Sequence, residues 1–535
     1  MFGNNKKSDI NKIVLKKDFS IGAISAEDDT NYIANCFIDN GEIDLLTNFN
    51  ESRCIILGRT GAGKSAIIEK IKEQEKNHYI TIKPAAIAME HIQNSGILEY
   101  VKESGVQMLP FYKVLWQHIL IINLIKKRFE GRKSISDVLS TIITPKKELL
   151  SNYMSEWGDK FWQDTDSVIK EFTNKTEVEI SAELSAYQAK IAAGQKLDNQ
   201  EKEQIRLRLK NIINPKQFRA LSEITEFMQQ EILNNKKNKF YILIDHLDEQ
   251  WTTDDDMRCH LIRGLIDTIK EFQSFRINSN VKIIVSLRND LFNRVIEKTK
   301  TPGQQTEKIK SYFIEIKWSK EKLIELVEKR TKELFKRKYS GQQVELYEVL
   351  KNQDEIMDYM IERTFYRPRD IIEFFNLSIE AADEKSKISL HEVKQAEWKF
   401  SSERIAALFE EWEANHPCIR HYVEPLRGKK TPFQMLVINK DFLSILIANC
   451  TNNNDEIINL IRNFHYDETM DIQQVAAKYL NAMYQFGILG LKPNENYISY
   501  IWSFKGDTYP ELSISKDNCM IAIHPMFYLP LEIKS

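Results

Sequence analysis

Eight consecutive residues near the start of the sequence have the composition and spacing needed to bind phosphate. They read G-R-T-G-A-G-K-S and comprise Gly58, Arg59, Thr60, Gly61, Ala62, Gly63, Lys64 and Ser65. Glycines let successive backbone N–H groups turn inward around phosphate oxygens, and the N-terminus of a following helix favours negative charge. In this pattern the lysine reaches the β- and γ-phosphates, and the hydroxyl of the last residue ligates Mg²⁺. The octet therefore predicts a nucleoside triphosphate site that uses Lys64 and Ser65.

The residues on both sides of the octet support that interpretation over a chance glycine turn. An apolar run at 53–57 is typical of a buried parallel strand, and residues 66–71 favour a helix with three isoleucines on its inner face. The chain has 18 glycines, and three of them fall in the octet. The sequence contains no N-K-x-D motif for guanine and no L-S-G-G-Q signature. We therefore expect ATP with Mg²⁺ as the ligand.

A second strand signal, F-Y-I-L-I at 240–244, runs directly into Asp245. An apolar strand followed by an acid is the Walker B arrangement, which places a carboxylate beside the metal. We expect Asp245 to act on Mg²⁺. Histidine occupies position 246, where many ATPases carry the catalytic glutamate, and a packed histidine that supports its neighbours is the simpler interpretation of it. The D-x-x-D-E spacing at 245–249 resembles that of STAND ATPases of the NACHT kind and of KAP-type P-loop ATPases. This resemblance implies that Asp248 is the base that polarises the attacking water, with Glu249 as the second candidate.

Polar residues also follow a third strand signal at 281–285. Ser286 or Arg288 occupies the position from which a "sensor 1" residue contacts the γ-phosphate or the attacking water. A solvated loop arginine is an equally good interpretation of Arg288. Two further strand signals, at 78–83 and 311–318, bring the number of predicted strands to five.

Bulk properties place few limits on function. The 535 residues are too many for one hydrophobic core, and we expect two to four domains. The composition is 42% apolar and 28% charged, with a formal charge of −2, which argues against a wholly basic nucleic-acid coat. The cysteines are scattered without a CxxC pair, so neither a disulfide framework nor a zinc ribbon is predicted. Without a signal-like N-terminus or a membrane-length apolar run, a soluble cytoplasmic protein is expected.

Four segments together resemble a family of bacterial P-loop ATPases related to the KAP and STAND NTPases. The segments are F-S-I-G-A-I-S-A-E-D at 19–28, the phosphate-binding octet, I-D-H-L-D-E-Q-W at 244–251 and Y-R-P-R-D-I-I-E-F-F-N at 366–376. The resemblance spans residues 18–400, with a weaker I-H-P segment at 523–525. It implies an α/β P-loop NTPase fold of the AAA+/STAND kind, with a five-stranded parallel sheet in the order 5-1-4-3-2.

The resemblance also implies roles for residues outside the octet. In such proteins an arginine of the R-P-R-D segment lies on a helical lid, reaches the γ-phosphate as "sensor 2" and couples its loss to lid movement. By position this residue is Arg369, with Arg367 in reserve, and the alternative is that both arginines bridge lid helices. Arg276 is a candidate arginine finger for a neighbouring subunit in a homo-oligomer. Members of the family are frequently found with anti-phage defence genes, so the resemblance implies a regulatory ATPase in immunity.

The predicted domains are an ATPase core at 1–320, a helical lid at 321–400 and a C-terminal module at 401–535. A large helical insertion is expected at about 84–238, with long exposed helices near 185–212. In the C-terminal module a helix at 471–486 precedes an alternating strand signal at 497–504 and a second strand signal at 519–523. This order predicts a winged-helix-like module. A helix–hairpin of this kind and the basic residues Lys429 and Lys430 allow nucleic-acid binding, although the aromatic strand face is more simply interpreted as core.

The leading hypothesis is therefore an ATP-binding and ATP-hydrolysing molecular switch that regulates or recruits a partner effector. The alternative is a DNA-binding AAA+ ATPase of the origin-recognition or transposition type, in which the C-terminal module holds duplex DNA. A third possibility is a scaffold whose nucleotide is structural. No nuclease, protease or deaminase constellation occurs in the sequence.

Overall fold

The structure is a computed structural model, and part of the chain is described. The described residues are 13–76, 78–82, 95, 98, 108–128, 147–157, 165–183, 198–201, 203, 204, 207, 223, 239–247, 255–274, 281–300, 307–339, 341–448, 450, 454–466, 470–510, 514 and 518–534. Residue contacts divide the chain into two compact units. We call Asp39–Arg59 with Ile67–Ile316 the sheet unit, and Met1–Ile38 with Thr60–Ala66 and Lys317–Ser535 the helical unit.

Five parallel strands form the centre of the sheet unit. They are β1 (Ile55–Gly58), β2 (Tyr79–Ile82), β3 (Phe240–Ile244), β4 (Val281–Arg288) and β5 (Phe313–Glu315). Their order across the sheet is β2-β3-β4-β1-β5. Read from the opposite edge this is 5-1-4-3-2, so the predicted strand order is confirmed. Because all five strands are parallel, the residues that follow β1, β3 and β4 leave the sheet at the same edge.

The lengths of two strands differ from the predictions. β4 continues three residues beyond the predicted 285 to Arg288, because it is paired on both sides and its register with β1 extends to Gly58 opposite Arg288. β5 is shorter than the predicted 311–318, since it is an edge strand that pairs with β1 alone. The buried Lys282 within β4 donates from Nζ to the carbonyls of Leu45 and Asn48, at 2.8 and 2.7 Å. A lysine in a central strand is tolerated because those carbonyls solvate its charge.

Helices flank the strands and make up most of the remaining described chain. Their bounds are Thr30–Cys36, Glu42–Thr47, Lys64–Gln74, Leu109–Arg128, Lys147–Trp157, Thr165–Glu183, Asp255–Ser274, Asn289–Lys298, Glu307–Lys310, Lys320–Lys338, Leu346–Val349, Gln353–Glu362, Pro368–Ala381, Leu390–Glu413, Ile419–Tyr422, Lys440–Ala448, Glu456–Tyr466 and Ile472–Phe486. Short 3-10 turns occur at Glu424–Leu426, Met435–Val437, Ser503–Lys505 and Pro525–Phe527.

Part of the predicted insertion at 84–238 is described, and it is helical. The most apolar stretch of the sequence lies in Leu109–Arg128, whose Trp116 is buried and donates from Nε1 to the carbonyl of Leu261 at 2.9 Å. That carbonyl belongs to Asp255–Ser274, so the apolar stretch is explained by helix packing inside the sheet unit. In the described part of the chain, none of the helices combines the length and apolar character needed to cross a bilayer. Most of the expected long helices near 185–212 lie outside the described residues.

The helices that follow β5 in the helical unit lie close to the predicted positions. Lys320–Lys338 has the predicted bounds, and the Ser319 hydroxyl caps it by accepting from the backbone N–H of Lys322 at 3.3 Å. The predicted helical region 354–384 is two helices, Gln353–Glu362 and Pro368–Ala381. The break has two causes: Pro368 has no N–H to continue a helix, and Tyr366 adopts a left-handed backbone with φ 53°.

Near its C-terminus the helical unit contains a three-stranded antiparallel sheet. Its strands are β6 (Phe433–Gln434), β7 (Leu489–Lys492) and β8 (Met520–Ile523), in the order β6-β8-β7. β7 follows the helix Ile472–Phe486, which begins one residue later than predicted because Asp471 is its cap, and which ends at Gly487, with φ 87°. The second predicted strand, 519–523, is confirmed as β8.

The predicted strand at 497–504 is wrong. That segment makes a single bridge, Ile501 to Leu491, and then forms the 3-10 turn Ser503–Lys505. Two of its aromatic side chains pack on neighbouring elements instead. Trp502 lies so close to Gly490 that a Cβ there would be 2.4 Å from the indole ring, and Phe504 packs on Phe365 with ring centroids 5.3 Å apart. The alternation at 497–504 therefore reflects packing on neighbouring elements and not strand pairing.

One further prediction about the chain is corrected. Cys418 and Cys450 are joined by a disulfide, with their Cα atoms 6.2 Å apart, although no disulfide was predicted. The two cysteines are 32 residues apart in sequence, and both are buried. The fold brings them together through helix packing, which no spacing pattern in the sequence indicates.

Candidate nucleotide-binding site

The predicted phosphate-binding octet forms the turn between β1 and a helix. β1 ends at Gly58, and the helix Lys64–Gln74 begins at the lysine of the octet. Gly61 and Gly63 have φ of 76° and 98°, in the left-handed region that glycine adopts without strain. Such alternation turns backbone N–H groups inward to form an anion-binding concavity. The loop therefore has the backbone form that its sequence predicts.

In the helical unit, the tip of the loop contacts the segment that carries the sensor 2 candidate. A Cβ placed on Gly61 would lie 3.1 Å from the Cβ of Arg369, and the backbone N–H of Arg369 donates to the Gly61 carbonyl at 3.5 Å. The indole of Trp318 donates from Nε1 to the carbonyl of Ala62 at 2.8 Å. The loop tip is thus held by side chains distant in sequence.

A third contact to the loop comes from a residue that sequence reasoning missed. Glu411 accepts a hydrogen bond from the hydroxyl of Thr60, with Oγ1 and Oε1 2.8 Å apart. The other carboxylate oxygen of Glu411 lies 3.8 Å from Nη1 of Arg367. Glu411 lies near the end of the helix Leu390–Glu413, which runs across the predicted boundary between residues 400 and 401.

The arginines beside the loop have unused hydrogen-bonding capacity. Among the described residues, buried Nε and Nη2 of Arg367 and buried Nε of Arg369 have no hydrogen-bond partner. Burial lowers the pKa of Arg369, and the positive charges of Arg404 and Arg367 lower it further. A buried guanidinium without full hydrogen bonding is costly, and a bound anion would relieve that cost. These side chains fit a phosphate-bearing ligand.

Arg404 links the two helices behind these arginines. Its Nε lies 2.9 Å from a carboxylate oxygen of Glu373, and its Nη1 lies 3.9 Å from Asp370. Both acids belong to Pro368–Ala381, the helix that begins beside the loop-contacting arginines. Burial raises the pKa of Glu373 to about 7 even though Arg404 opposes that shift. The cluster joins Pro368–Ala381 to Leu390–Glu413 through ionic contacts.

Within the sheet unit, Asp245 is held firmly at the edge where the strands end. It is 4% exposed, and its Oδ1 accepts from the hydroxyl of Ser286 and from the backbone N–H of His246. Ser286 lies in β4, the strand beside β3, so the neighbouring strand orients the carboxylate. Ser286 was a candidate for contact with phosphate or water, and the structure places it as the support of Asp245.

His246 supports the same carboxylate. Its Nε2 lies 3.7 Å from Oδ2 of Asp245, and its backbone is left-handed with φ 62°. A non-glycine residue in that conformation is uncommon and is often retained at functional sites. The placement agrees with the interpretation of His246 as a supporting histidine.

Arg288, the other sensor 1 candidate, forms an ion pair with a close neighbour in sequence. Its Nε and Nη2 donate to the two carboxylate oxygens of Asp290, at 3.0 and 2.7 Å. Burial alone would raise the pKa of Asp290, but the Arg288 guanidinium holds it below its usual value. In this structure Arg288 is therefore oriented by Asp290.

Some predicted site residues lie outside the described part of the chain. Asp248 and Glu249, the candidates for the base, and Arg276, the candidate finger, are among them. Gly58 and Arg59 lie at the strand end in the sheet unit, and Lys64 is 8% exposed at the start of its helix. Glu411 and Trp318 were missed because an isolated acid or tryptophan carries no motif. The single signal was the helical periodicity that continues past residue 400.

Comparisons with known proteins show similarity to a domain family, a curated protein and a solved structure. Residues 321–409 match the family described as the FunZ-associated C-terminal helical domain. Over 97% of its length the chain is 23% identical to the "Putative transposon gamma-delta 80.3 kDa protein" of Escherichia coli (strain K12), of which the match covers 68%. A solved structure, the Walker-type ATPase PABY2304 of Pyrococcus abyssi, aligns with 87% of this chain and 93% of that chain, at 12% identity and a TM-score of 0.36. The family match includes Arg367 and Arg369 and ends two residues before Glu411.

Proposed function

We propose that the chain is a Mg²⁺-dependent ATPase that works as a molecular switch. The observation that carries this proposal is the placement of the octet: it joins a buried parallel strand to a helix, and its tip is held by arginine and acidic groups of the helical unit. A loop built only to turn the chain would not require two left-handed glycines beside incompletely bonded guanidinium groups.

Residues of the loop and of the strand edge would bind different parts of Mg²⁺–ATP. Lys64 binds the β- and γ-phosphates, and the loop N–H groups of Gly58–Ser65 surround them. Ser65 and Asp245 would hold Mg²⁺, which when bound neutralises charge that develops on the transferred phosphoryl group. Ser286 and His246 keep the Asp245 carboxylate in place. Asp248, with Glu249 in reserve, would polarise the attacking water.

The switch arises from the side chains that touch the loop tip. Arg367 precedes the helix Pro368–Ala381 and Arg369 lies in its first turn, whereas Glu411 lies in the last turn of the helix Leu390–Glu413. A change in charge at the loop therefore alters ion pairs on both helices. Loss of the γ-phosphate would release the arginines and shift these two helices relative to each other. A separately encoded effector protein would recognise the shift. The biological setting that we propose for this switch is anti-phage defence.

The ATPase proposal is tested by steady-state hydrolysis with the purified chain. We expect phosphate release that requires Mg²⁺, together with retained ATP but little turnover in Asp248→Ala. Absence of any turnover in the unaltered chain would favour a scaffold with structural nucleotide. Normal turnover in Asp248→Ala would exclude Asp248 as the base.

A second function, DNA binding by the same ATPase, is favoured by one surface. Lys430 and Lys534 form a bridge, and the backbone N–H of Lys534 donates to the carbonyl of Lys429 at 2.9 Å. The two strand-like segments thus gather basic residues beside the sheet of β6, β7 and β8. Two strands of that sheet, β7 and β8, follow the helix Ile472–Phe486, an order that supports a winged-helix-like module. The name of the Escherichia coli relative refers to a transposon, a setting in which DNA is handled.

Duplex DNA binding at several salt concentrations separates the two functions. Phosphate contacts by lysines weaken as salt rises, so a DNA-binding ATPase should lose affinity steeply with salt and in Lys429→Glu combined with Lys430→Glu. The control for each single substitution is Lys440→Glu, which makes the same charge change at an exposed position in the helix Lys440–Ala448. If Lys429→Glu combined with Lys430→Glu leaves the affinity for DNA unchanged, this surface is not the DNA-binding site.

A further inference from the structure

The carboxylate of Glu411 lies where an anion of the nucleotide would be expected to compete with it. Its side chain is 9% exposed, and its contacts include a neutral donor at one carboxylate oxygen and a cation near the other. The donor is the Thr60 hydroxyl of the phosphate-binding loop, and the cation is the guanidinium of Arg367. A hydroxyl and a guanidinium are also the groups that commonly bind phosphate oxygens.

Arg367 is not saturated by this contact. The Nη1–Oε2 distance of 3.8 Å is long for a hydrogen bond, and Nε and Nη2 are buried without a hydrogen-bond partner among the described residues. A guanidinium with free donors can exchange a weak carboxylate contact for a stronger phosphate contact. Negative charge on Glu411 opposes the approach of phosphate to the loop tip at the same time.

We propose that Glu411 is a positioning residue that competes with the terminal phosphate of ATP for Arg367 and so limits the preference of the site for triphosphate over diphosphate. The inference rests on the proposed function, because it requires that the loop binds a nucleotide. Glu411 occupies Arg367 when the terminal phosphate is absent and releases it when that phosphate is bound.

The same residue offers a route from the loop to the rest of the helical unit. Glu411 and Arg404 share the helix Leu390–Glu413, and Arg404 contacts Glu373 and Asp370 on Pro368–Ala381. When Arg367 leaves Glu411, the ionic contacts between the two helices must redistribute. The strength of the ion pairs between Leu390–Glu413 and Pro368–Ala381 would thereby depend on which nucleotide is bound.

The test measures affinity for a non-hydrolysable ATP analogue and for ADP by isothermal titration with the full chain. In Glu411→Gln the amide still accepts from Thr60 but carries no charge. We expect tighter binding of the ATP analogue by about tenfold and a smaller gain for ADP, because ADP lacks the competing phosphate. Glu410→Gln removes the same charge from an exposed position on the same helix and should change neither affinity.

A purely structural role for Glu411 gives a different result. Both nucleotides would then bind equally less well, with a lower melting temperature, and the ratio of their affinities would not move. Either an unchanged ratio or a parallel loss overturns the proposal.

Two further variants keep the test decisive. Arg367→Gln removes the group for which Glu411 competes, so adding Glu411→Gln to it should give no further gain for the ATP analogue; an undiminished gain would overturn the proposal. Thr60→Val removes the hydroxyl but leaves the Glu411–Arg367 pair, and should not raise the ratio of affinities.

Failure of the proposed function and failure of the competition give different results. If Lys64→Ala binds ATP normally, the proposed function itself fails. If Lys64→Ala loses ATP while Glu411→Gln leaves the ratio unchanged, the competition alone fails.

Discussion

Arg369 lies directly against Gly61 of the phosphate-binding loop. The contact includes a backbone hydrogen bond of 3.5 Å, and there is no room for a side chain at Gly61 without moving the arginine. Arg369 is the sensor 2 candidate only by its position in the R-P-R-D segment, and in the structure it contacts the phosphate-binding loop. The relationship makes the conformation of the loop dependent on the start of the helix Pro368–Ala381.

Substitution of Gly61 tests this contact. In Gly61→Ala the new Cβ meets Arg369, and the left-handed backbone with φ 76° is strained by a side chain. We expect ATP affinity to fall by more than tenfold, measured by equilibrium dialysis. Gly341→Ala is the control, because Gly341 has φ 93° but a Cβ there meets nothing within 4 Å. An equal effect of both variants on ATP binding would show that backbone strain, not contact with Arg369, is responsible.

The support of Asp245 by Ser286 predicts an effect on the metal. Ser286→Ala removes one hydrogen bond to the carboxylate, and a single such bond is worth about 1 kcal/mol. We expect the Mg²⁺ concentration for half-maximal hydrolysis to rise several-fold, with little change at saturating Mg²⁺.

Ser378→Ala is the matched control for that experiment. Ser378 is also buried and donates from its hydroxyl to the carbonyl of Phe374 at 2.8 Å, within Pro368–Ala381. It should leave the Mg²⁺ dependence unaltered. The same Mg²⁺ requirement in Ser286→Ala and in the unaltered chain would argue against Asp245 as a metal-side residue.

Glu373 predicts a pH dependence of stability. Burial raises its pKa from 4.5 to about 7 in the folded chain. A raised folded pKa means that the contribution of the protonated carboxyl to the free energy of unfolding is fully present below pH 4.5 and is lost as pH rises through 7. The loss amounts to roughly 3 kcal/mol at most, from about 1.4 kcal/mol per pKa unit.

The measurement is urea unfolding between pH 4.5 and 7.5. Glu373→Gln should show a flatter dependence of unfolding free energy on pH, since the amide does not titrate. Glu380→Gln, an exposed position on the same helix, should keep the slope of the unaltered chain. Identical slopes for all three proteins would mean that Glu373 titrates at its ordinary value.

Local patterns predicted the parts of the fold that depend on local chemistry. The octet, the apolar strands and the acid after β3 each rely on residues adjacent in sequence, and the strand order follows from the branch to which those motifs point. The helix Ile472–Phe486 was predicted to within one residue because both ends carry specific residue types, Asp471 and Gly487.

The remaining features depend on contacts between residues far apart in sequence. Glu411 is 351 residues from Thr60, and nothing near either residue indicates their hydrogen bond. The segment 497–504 alternates as a strand would, yet Gly490 leaves space for Trp502 to pack on β7, and packing determines its conformation. The sequence predicts that Arg288 lies at the end of a strand, but it does not predict the ion pair with Asp290. The spacing of residues along the chain does not determine the direction of a side chain.

The central claim is that the octet binds ATP, and equilibrium binding of ATP to Lys64→Ala tests it most directly. The matched control is Lys70→Ala, which removes a lysine of the same helix that pairs with Glu73 at 2.7 Å. We expect ATP binding with Mg²⁺ to be lost in Lys64→Ala and retained in Lys70→Ala, with both variants folded by circular dichroism. Unchanged ATP affinity in a folded Lys64→Ala protein would contradict the account.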